Sequence, residues 1–498
     1  MNWQNHPLIR LIIPFTLGMI GANLFISHMD MKVLFILCCV VLAFSFFFIK
    51  ASQLKKDSRF GLVAMTLFFL VGMTLYTGKY RHIENGLPYD TMFVQGTLVE
   101  LPKEKTHSWA LELEQEKGVH ILLYIGNQPK GLALGDTISA QVLHMNATNH
   151  CEDDSFKTYN SYLFHHGICA TAYAPHDRWQ VKHRLTSPSI LLAAKEQQED
   201  LHHIYDEHGI SDEAGSIIEA MTLGRKTTLS SDTRQAYADA GLSHILALSG
   251  FHVGIIVLMM QAFFLKSFLP FRWQWVSQLL IIATLWCYAL LTGMSPSLVR
   301  ANIMFTILLL CQFLNREAIS INSCAFAFFL MLCLNPFYLH DIGFQLSFMA
   351  VGGIALYAQR ITQLYCHTHN PILRFLWSLI LITSLCALLT APLVAHHFGR
   401  IPLLSLVSNI ILIPFVYLLM WTSILWWLFL WCEPINNMLT EVLNWTANSM
   451  NAIVEHLSSL PFATIQWQPG VLMTIFCYAV VLVITYFFSR KTPAKFSV

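Results

Sequence analysis

The sequence predicts a polytopic α-helical membrane protein of about 10–12 membrane segments, with one extracytoplasmic β-domain inserted after the third segment. Three observations predict it. Of 498 residues, 55% are hydrophobic and 12% charged, against about 25% charged in a soluble domain; mean hydropathy is +0.52. Apolar runs of spanning length recur along the chain. One interval, about Glu84 to Thr186, replaces those runs with short alternating segments. The net charge of +1 points to no class of partner, because a channel can concentrate a few cations locally.

The N-terminal part, residues 1–78, reads as three spans: Leu8 to Ile26, Val33 to Ile49 and Gly61 to Thr77. The first has no small-residue cleavage site and is expected to be an anchor, not a removed signal peptide. Lys50, Lys55, Lys56 and Arg59 crowd the loop between the second and third spans. The positive-inside rule places that loop and the N-terminus in the cytoplasm, and therefore the insert outside.

Within the insert, residues 84–186, period-two alternation marks strands at TMFVQGTLVE from Thr91, WALELEQ from Trp109, GVHILLYIG from Gly118 and DTISAQVL from Asp136. Trp109, Leu111, Leu113, Ile121, Leu123 and Ile125 form the expected inner face, and a small β-barrel is predicted. From Lys79 to Arg184 ten Lys or Arg face twelve Asp or Glu; a domain built to grip phosphates should not be net acidic. Ten of the twelve cysteines fall in or near apolar segments. Cys151 and Cys169 fall in the insert and are a candidate disulfide, with two free thiols as the alternative.

Residues 187–240 read as connecting helices. The first is amphipathic through Leu191, Ala194, Leu201, Ile204 and Tyr205; the second covers Asp212 to Leu223; the third starts near Ser231, whose hydroxyl is expected to cap it. Residues 241–490 form the main bundle. Pro296 starts a new helix that carries Arg300 near its beginning. Asp341 heads another, as cap or gate, with Gln345 one turn later. Between Ile401 and Trp431 the pattern allows one long helix or two half-helices broken around Asn409 to Pro414. Cys432 to Gly470 contains no Lys or Arg, whereas Arg490, Lys491 and Lys495 follow. Charge bias asks for the first outside and the second inside, which favours the half-helices and makes Asn409 a pore candidate. Ile435, Leu439, Val442, Thr446, Met450, Ile453 and Leu457 predict a helix lying on the outer surface.

The most informative stretch is GLSHILALSGFHVGIIV, from Gly241 to Val257. Read as one helix, it puts Ser249 about 140° and His252 about 80° around the axis from His244, on one arc. Polar groups in a spanning helix face a bundle interior or a wet cavity, so the arc either lines a path or bonds neighbouring helices. This stretch resembles the core signature of the ComEC family of competence proteins. So do GMSPSLVRANIM from Gly293, NPFYLHDIGFQLSFMAVGGI from Asn335 and FGRIPLLSLVSNIILIP from Phe398, in the same order. The resemblance implies that the insert is OB-like and that the bundle passes single-stranded DNA across the bacterial inner membrane during transformation. It places His244, Ser249, Gly250, His252, Arg300, Gln345 and Asn409 along the path, with Gly250 allowing close backbone approach. Both termini are then cytoplasmic and the OB-like domain extracytoplasmic.

The resemblance also implies partners: single-stranded DNA, membrane lipid, a periplasmic DNA receptor, a cytoplasmic motor or helicase, and a separate nuclease. A homo-oligomer stays open. Many ComEC proteins carry a metallo-β-lactamase-like domain; here no HxHxDH motif is present, and His367 and His369 are followed by Asn370 and Pro371, so no nuclease activity, cofactor or metal is expected. No GxxxxGK[ST] loop occurs, which leaves a motor or the membrane potential as energy source. Two rivals remain: transport of another substrate on the same fold, and an intramembrane serine protease using Ser249 of ALSG with His396 or His397 as base.

Overall fold

The computed structural model describes residues 7–26, 31–51, 58–87, 92–105, 107–115, 118–129, 131–149, 154–175, 178–184, 190–210, 212–225, 227–267, 274–314, 321–365 and 370–490. Its contacts divide into two compact units. One comprises Met1–Glu196 with Ala325–Asp341, the other Gln197–Cys324 with Ile342–Val498.

The first unit opens with helices α1 (Pro7–Phe25), α2 (Met31–Ala51) and α3 (Ser58–Glu84). Helices α1 and α3 meet backbone to backbone. A Cβ on Gly18 would lie 2.0 Å from the Phe69 carbonyl oxygen, and one on Gly72 would lie 2.2 Å from that of Phe15. This reciprocal glycine contact is how helices pack in lipid, where burial of apolar surface supplies no preference for helix over tail.

The insert then supplies β1 (Phe93–Leu98), β2 (Lys103–Glu104), β3 (Trp109–Glu114), β4 (His120–Ile125), β5 (Asp136–Gln141), β6 (His144–Ala147), α4 (Asp154–His165), β7 (Ile168–Ala174) and β8 (Trp179–Arg184). They form one sheet ordered β6-β7-β4-β3-β1-β5-β8, with β2 on β3. Of the predicted inner face, Leu111, Leu113, Ile121, Leu123 and Ile125 have no exposed surface, whereas Trp109 is only half-buried at the start of β3. The barrel expected from that pattern is not closed by any ladder among the described residues. Helix α4 returns the chain so that β7 pairs parallel to β4, which hands one edge of the sheet to short β6 and leaves β8 at the other. Cys169 is a free, buried thiol, pushed up to about 11 by burial; its proposed partner Cys151 lies outside the described residues.

The chain enters the second unit along α5 (Ile190–Glu207) and continues through α6 (Asp212–Thr222), α7 (Ser231–Asp239), α8 (Ser243–Leu246), α9 (Gly250–Ser267), α10 (Gln274–Leu291), α11 (Pro296–Phe313) and α12 (Ile321–Leu334). A 3-10 turn at Pro336–His340 leads to α13 (Ile342–Tyr365) and α14 (Pro371–Phe398). The remainder is β9 (Arg400–Pro402), α15 (Ser405–Leu428), α16 (Glu433–Ser458), β10 (Thr464–Gln466) and α17 (Val471–Arg490). Helices α1, α3, α11, α14 and α15 are long and apolar enough to cross a membrane, and α2, α9, α10, α12, α13 and α17 contain shorter apolar stretches. The protein is a polytopic helical membrane protein.

Two local expectations are corrected. The cap of α7 is Ser230, one residue earlier than predicted, and its Oγ accepts from Thr233 N at 3.0 Å. Helix α15 runs unbroken through Asn409 with Pro414 inside it, so the half-helix reading fails. Antiparallel pairing of β9 with β10 brings residues 400–402 beside 464–466, and α15 and α16 fill the excursion between them as a hairpin. The chain thus returns to its starting end without a break in α15. Helix α16 has one buried face, which packs on α15, α6 and α7 and includes the predicted Leu439, Thr446, Met450 and Leu457. That buried face also carries the polar residues Asn436, Thr440, Thr446 and Asn451. Those side chains find partners inside the bundle: Trp426 Nε1 donates to Thr440 Oγ1 at 2.8 Å, and Asn436 Nδ2 donates to the Trp426 carbonyl at 3.2 Å. Small polar residues with partners belong to a core as well as leucines do.

Candidate polar site at a helix break

The segment expected as one helix is two. Gly241 enters with φ +76°, and a Cβ there would come within 2.5 Å of Ser405 Cβ and 3.1 Å of Pro402 Cβ. A side chain would be strained in that conformation and would have no space. This contact seats α8 against the start of α15. An ion pair beside it, Arg400 to Asp239 at 2.8 Å, fastens the end of α7 to β9. Helix α8 lasts four residues, after which Ala247 is extended at φ −96°, ψ 135°, and α9 begins at Gly250. Because the axis is interrupted, the single arc computed for a continuous helix does not exist.

Ser249 closes the new helix end. Its carbonyl accepts from Val253 N at 3.2 Å, and its backbone N–H donates to His252 Nδ1 at 3.3 Å; the hydroxyl stands 3.1 Å from the same nitrogen. This is a capping box in which histidine takes the place usually held by Glu or Gln. With Nδ1 accepting, the neutral ring carries its proton on Nε2. His252 is fully buried, and that Nε2 has no hydrogen-bond partner. A buried donor left unspent costs about 1–3 kcal/mol and calls for a reason.

His244 lies close enough to His252 for the two rings to interact electrostatically. Its side chain is exposed to solvent. The Asn409 side chain comes within reach of the His244 ring. Asn409 is buried, with Nδ2 donating to the Ser405 carbonyl at 2.7 Å and Oδ1 making no bond of good geometry. Gly250 faces α11, where an added Cβ would sit 3.7 Å from Ala301 Cβ, so the close backbone approach expected of it is not used within this unit.

Arg300, beside Ala301, is 5% exposed, so its head does not snorkel into water. Its position follows from the turn before α11, where Gly293 and Met294 both have positive φ and Pro296 starts the helix. Gln345 is half-buried on α13, which packs on α11. Asp341 immediately precedes α13 and belongs to the first unit. The structure therefore gathers His244, Ser249, His252 and Asn409 closely, with Gly250 against the helix that carries Arg300.

Sequence reasoning missed Asn302 and Arg400. Asn302 is fully buried on α11 and donates from Nδ2 to the Leu285 carbonyl at 2.7 Å; an Asn in a spanning helix two residues from an Arg was the available signal. Arg400 gave none, since its partner is 161 positions away. Arg225 is paired with Glu199 at 3.1 Å and Glu219 at 3.8 Å. His396 donates from Nδ1 to the Pro469 carbonyl at 2.8 Å, which ties α14 to the segment before α17.

A family model described as "Competence protein" matches residues 221–491, which include the helix break, Arg300, Gln345 and Asn409. The chain belongs to the competence protein family, of ComEC type. Among curated relatives, "ComE operon protein 3" of Bacillus subtilis (strain 168) is 28% identical over 199 residues, covering 40% of this chain and 24% of the relative. "Uncharacterized protein YcaI" of Escherichia coli (strain K12) is 25% identical over 209 residues, covering 40% of this chain and 27% of that protein. The aligned part thus spans about a quarter of each relative. No solved structure matches.

Proposed function

We propose that this competence-family chain is the membrane-spanning part of a channel for single-stranded DNA in natural transformation, in the bacterial inner membrane. The observation that carries the reading is the helix break within the family-matched region, with an open His244 and buried polar atoms on His252 and Asn409. Interrupted backbone and unspent polar groups at membrane depth are tolerated where they line a cavity. On this reading Arg300 attracts the phosphates, Gln345 and Asn409 replace their water, and the break allows the bundle to part. The sheet, with its net acidic sequence, serves as a gate or scaffold, and a motor and a nuclease are separate proteins.

The test is uptake of marked DNA into the cytoplasm of a deletion strain, with and without the gene restored. Rescue of transformation, with DNA still reaching the periplasm in the deletion, supports the channel. Unchanged transformation in the deletion removes it and moves the fold to another cargo. The protease alternative gains a Ser249–His252 pair at 3.1 Å. That histidine, however, bonds the backbone N–H of the same serine and has no third group on Nε2 to orient it. Labelling of Ser249 by a fluorophosphonate probe would restore that alternative.

A further inference from the structure

Within the first unit, four side chains from four elements meet at one point. Tyr76 on α3 places its Oη 2.8 Å from Asn23 Oδ1 on α1, 3.0 Å from His340 Nε2 on the 3-10 turn and 3.3 Å from His165 Nε2 at the end of α4. The two imidazole rings lie 4.1 Å apart, centroid to centroid. His165 donates from Nδ1 to the Ser161 carbonyl at 2.6 Å, so its Nε2 bears a lone pair. With the Tyr76 hydroxyl donating to Asn23, that lone pair faces oxygen with no hydrogen between them.

We propose that His165 Nε2, His340 Nε2 and Tyr76 Oη form a binding site for a divalent transition metal of the zinc class, with Asn23 Oδ1 at the fourth position. Zinc bound by N and O donors at about 2.0–2.1 Å in a tetrahedron separates those donors by about 3.3 Å, close to the spacings around Tyr76. The His165–Ser161 bond is the outer contact that fixes a metal-ligating imidazole and its tautomer. Phe337 packs on the edge of His165 at 5.1 Å and on Tyr76 at 5.3 Å, and Phe164 adds to the apolar wall. Binding would release the Tyr76 proton to solvent. The metal would clasp the helix of the β-domain to α1, α3 and the turn that precedes Asp341.

A second cluster, His202, Asp206 and Glu219, is built differently. Its one imidazole is bonded on both nitrogens, by Glu219 at 2.7 Å and Asp206 at 3.4 Å. That arrangement pairs a single histidine with two carboxylates, where the Tyr76 cluster converges two imidazoles on one oxygen.

The test uses the full chain purified in detergent, stripped with EDTA and reloaded with Zn2+ or Co2+. About one metal per chain is expected, with the visible absorption of four-coordinate Co2+. The His165→Ala/His340→Ala double variant should lose the metal, and Tyr76→Phe should weaken it by at least about tenfold while keeping the wild-type circular dichroism spectrum. If the double variant cannot be recovered folded, the wild-type Co2+ spectrum and Tyr76→Phe decide. Absence of stoichiometric metal, a six-coordinate Co2+ spectrum, retention of metal by the double variant, or its loss on His202→Ala would each overturn the proposal.

Discussion

Two pairs of histidines stand at special places in this chain, and they are built in opposite ways. His165 and His340 bring their Nε2 atoms to one tyrosine oxygen, on elements held by close aromatic contacts. His244 and His252 diverge: one is open to solvent, and the other spends Nδ1 on a helix cap and buries Nε2 without a partner. Convergent lone pairs on fixed elements define a point that holds something still. A divergent pair at a break in the backbone leaves polar capacity along a surface, which suits something that moves past.

The sharpest way to break that contrast is at His252. His252→Leu is expected to insert normally, by membrane fractionation, and to reduce transformation to the deletion background. His252→Gln keeps a side chain able to close the capping box and should fail as well. Normal transformation in the Gln variant would assign His252 to capping and withdraw it from the path.

A smaller effect separates the two glycines that frame the break. Gly241→Ala forces a side chain into a left-handed conformation and onto Ser405, and should cost at least about 1–3 kcal/mol, read as a lower unfolding temperature in detergent. Gly250→Ala meets Ala301 at ordinary contact distance and should stay within about 0.5 kcal/mol. If Gly250→Ala transforms poorly at unchanged stability, the glycine serves the path and not the packing.

The smallest effect belongs to the sheet of the β-domain. Burial alone would raise the Glu112 carboxyl, but its bond to His120 Nδ1 at 2.7 Å, with Lys103 and Lys195 nearby, holds it below the usual carboxylate range. A carboxylate lowered on folding stabilises the sheet above its ordinary value, and that contribution is lost as pH falls through the lowered one. Glu112→Gln should therefore cost at most about 1 kcal/mol at neutral pH and flatten the pH dependence of unfolding below about pH 4.5.

Much of this was legible in local pattern. Leu111, Leu113, Ile121, Leu123 and Ile125 announced their buried face by alternation, because a strand's pleat sends successive side chains to opposite sides. Pro296 announced the start of α11 because proline fits the first turn of a helix. Ser249 and His252 were visible as polar residues but not as a helix end: the apolar run continues through Ala247 and Leu248, and the cap was masked by a histidine at the position where Glu or Gln is customary. Pro414 misled in the other direction. A proline inside a helix removes one hydrogen bond, and whether the helix survives depends on what packs against it.

By itself the sequence determined that the chain lives in a membrane, which segments are apolar enough to span it, where the β-domain is inserted and which family signature it carries. Each of these is a property of neighbouring residues and the solvent they face. Tertiary structure alone decided that α15 stays whole, that α16 buries Asn436 and Asn451, that Gly241 must lie against Ser405, and that His165 and His340 meet on Tyr76. These outcomes depend on residues far apart in the chain being brought within a few ångströms. Hydrogen-bond satisfaction and steric fit act only at that range, after the packing has chosen the neighbours.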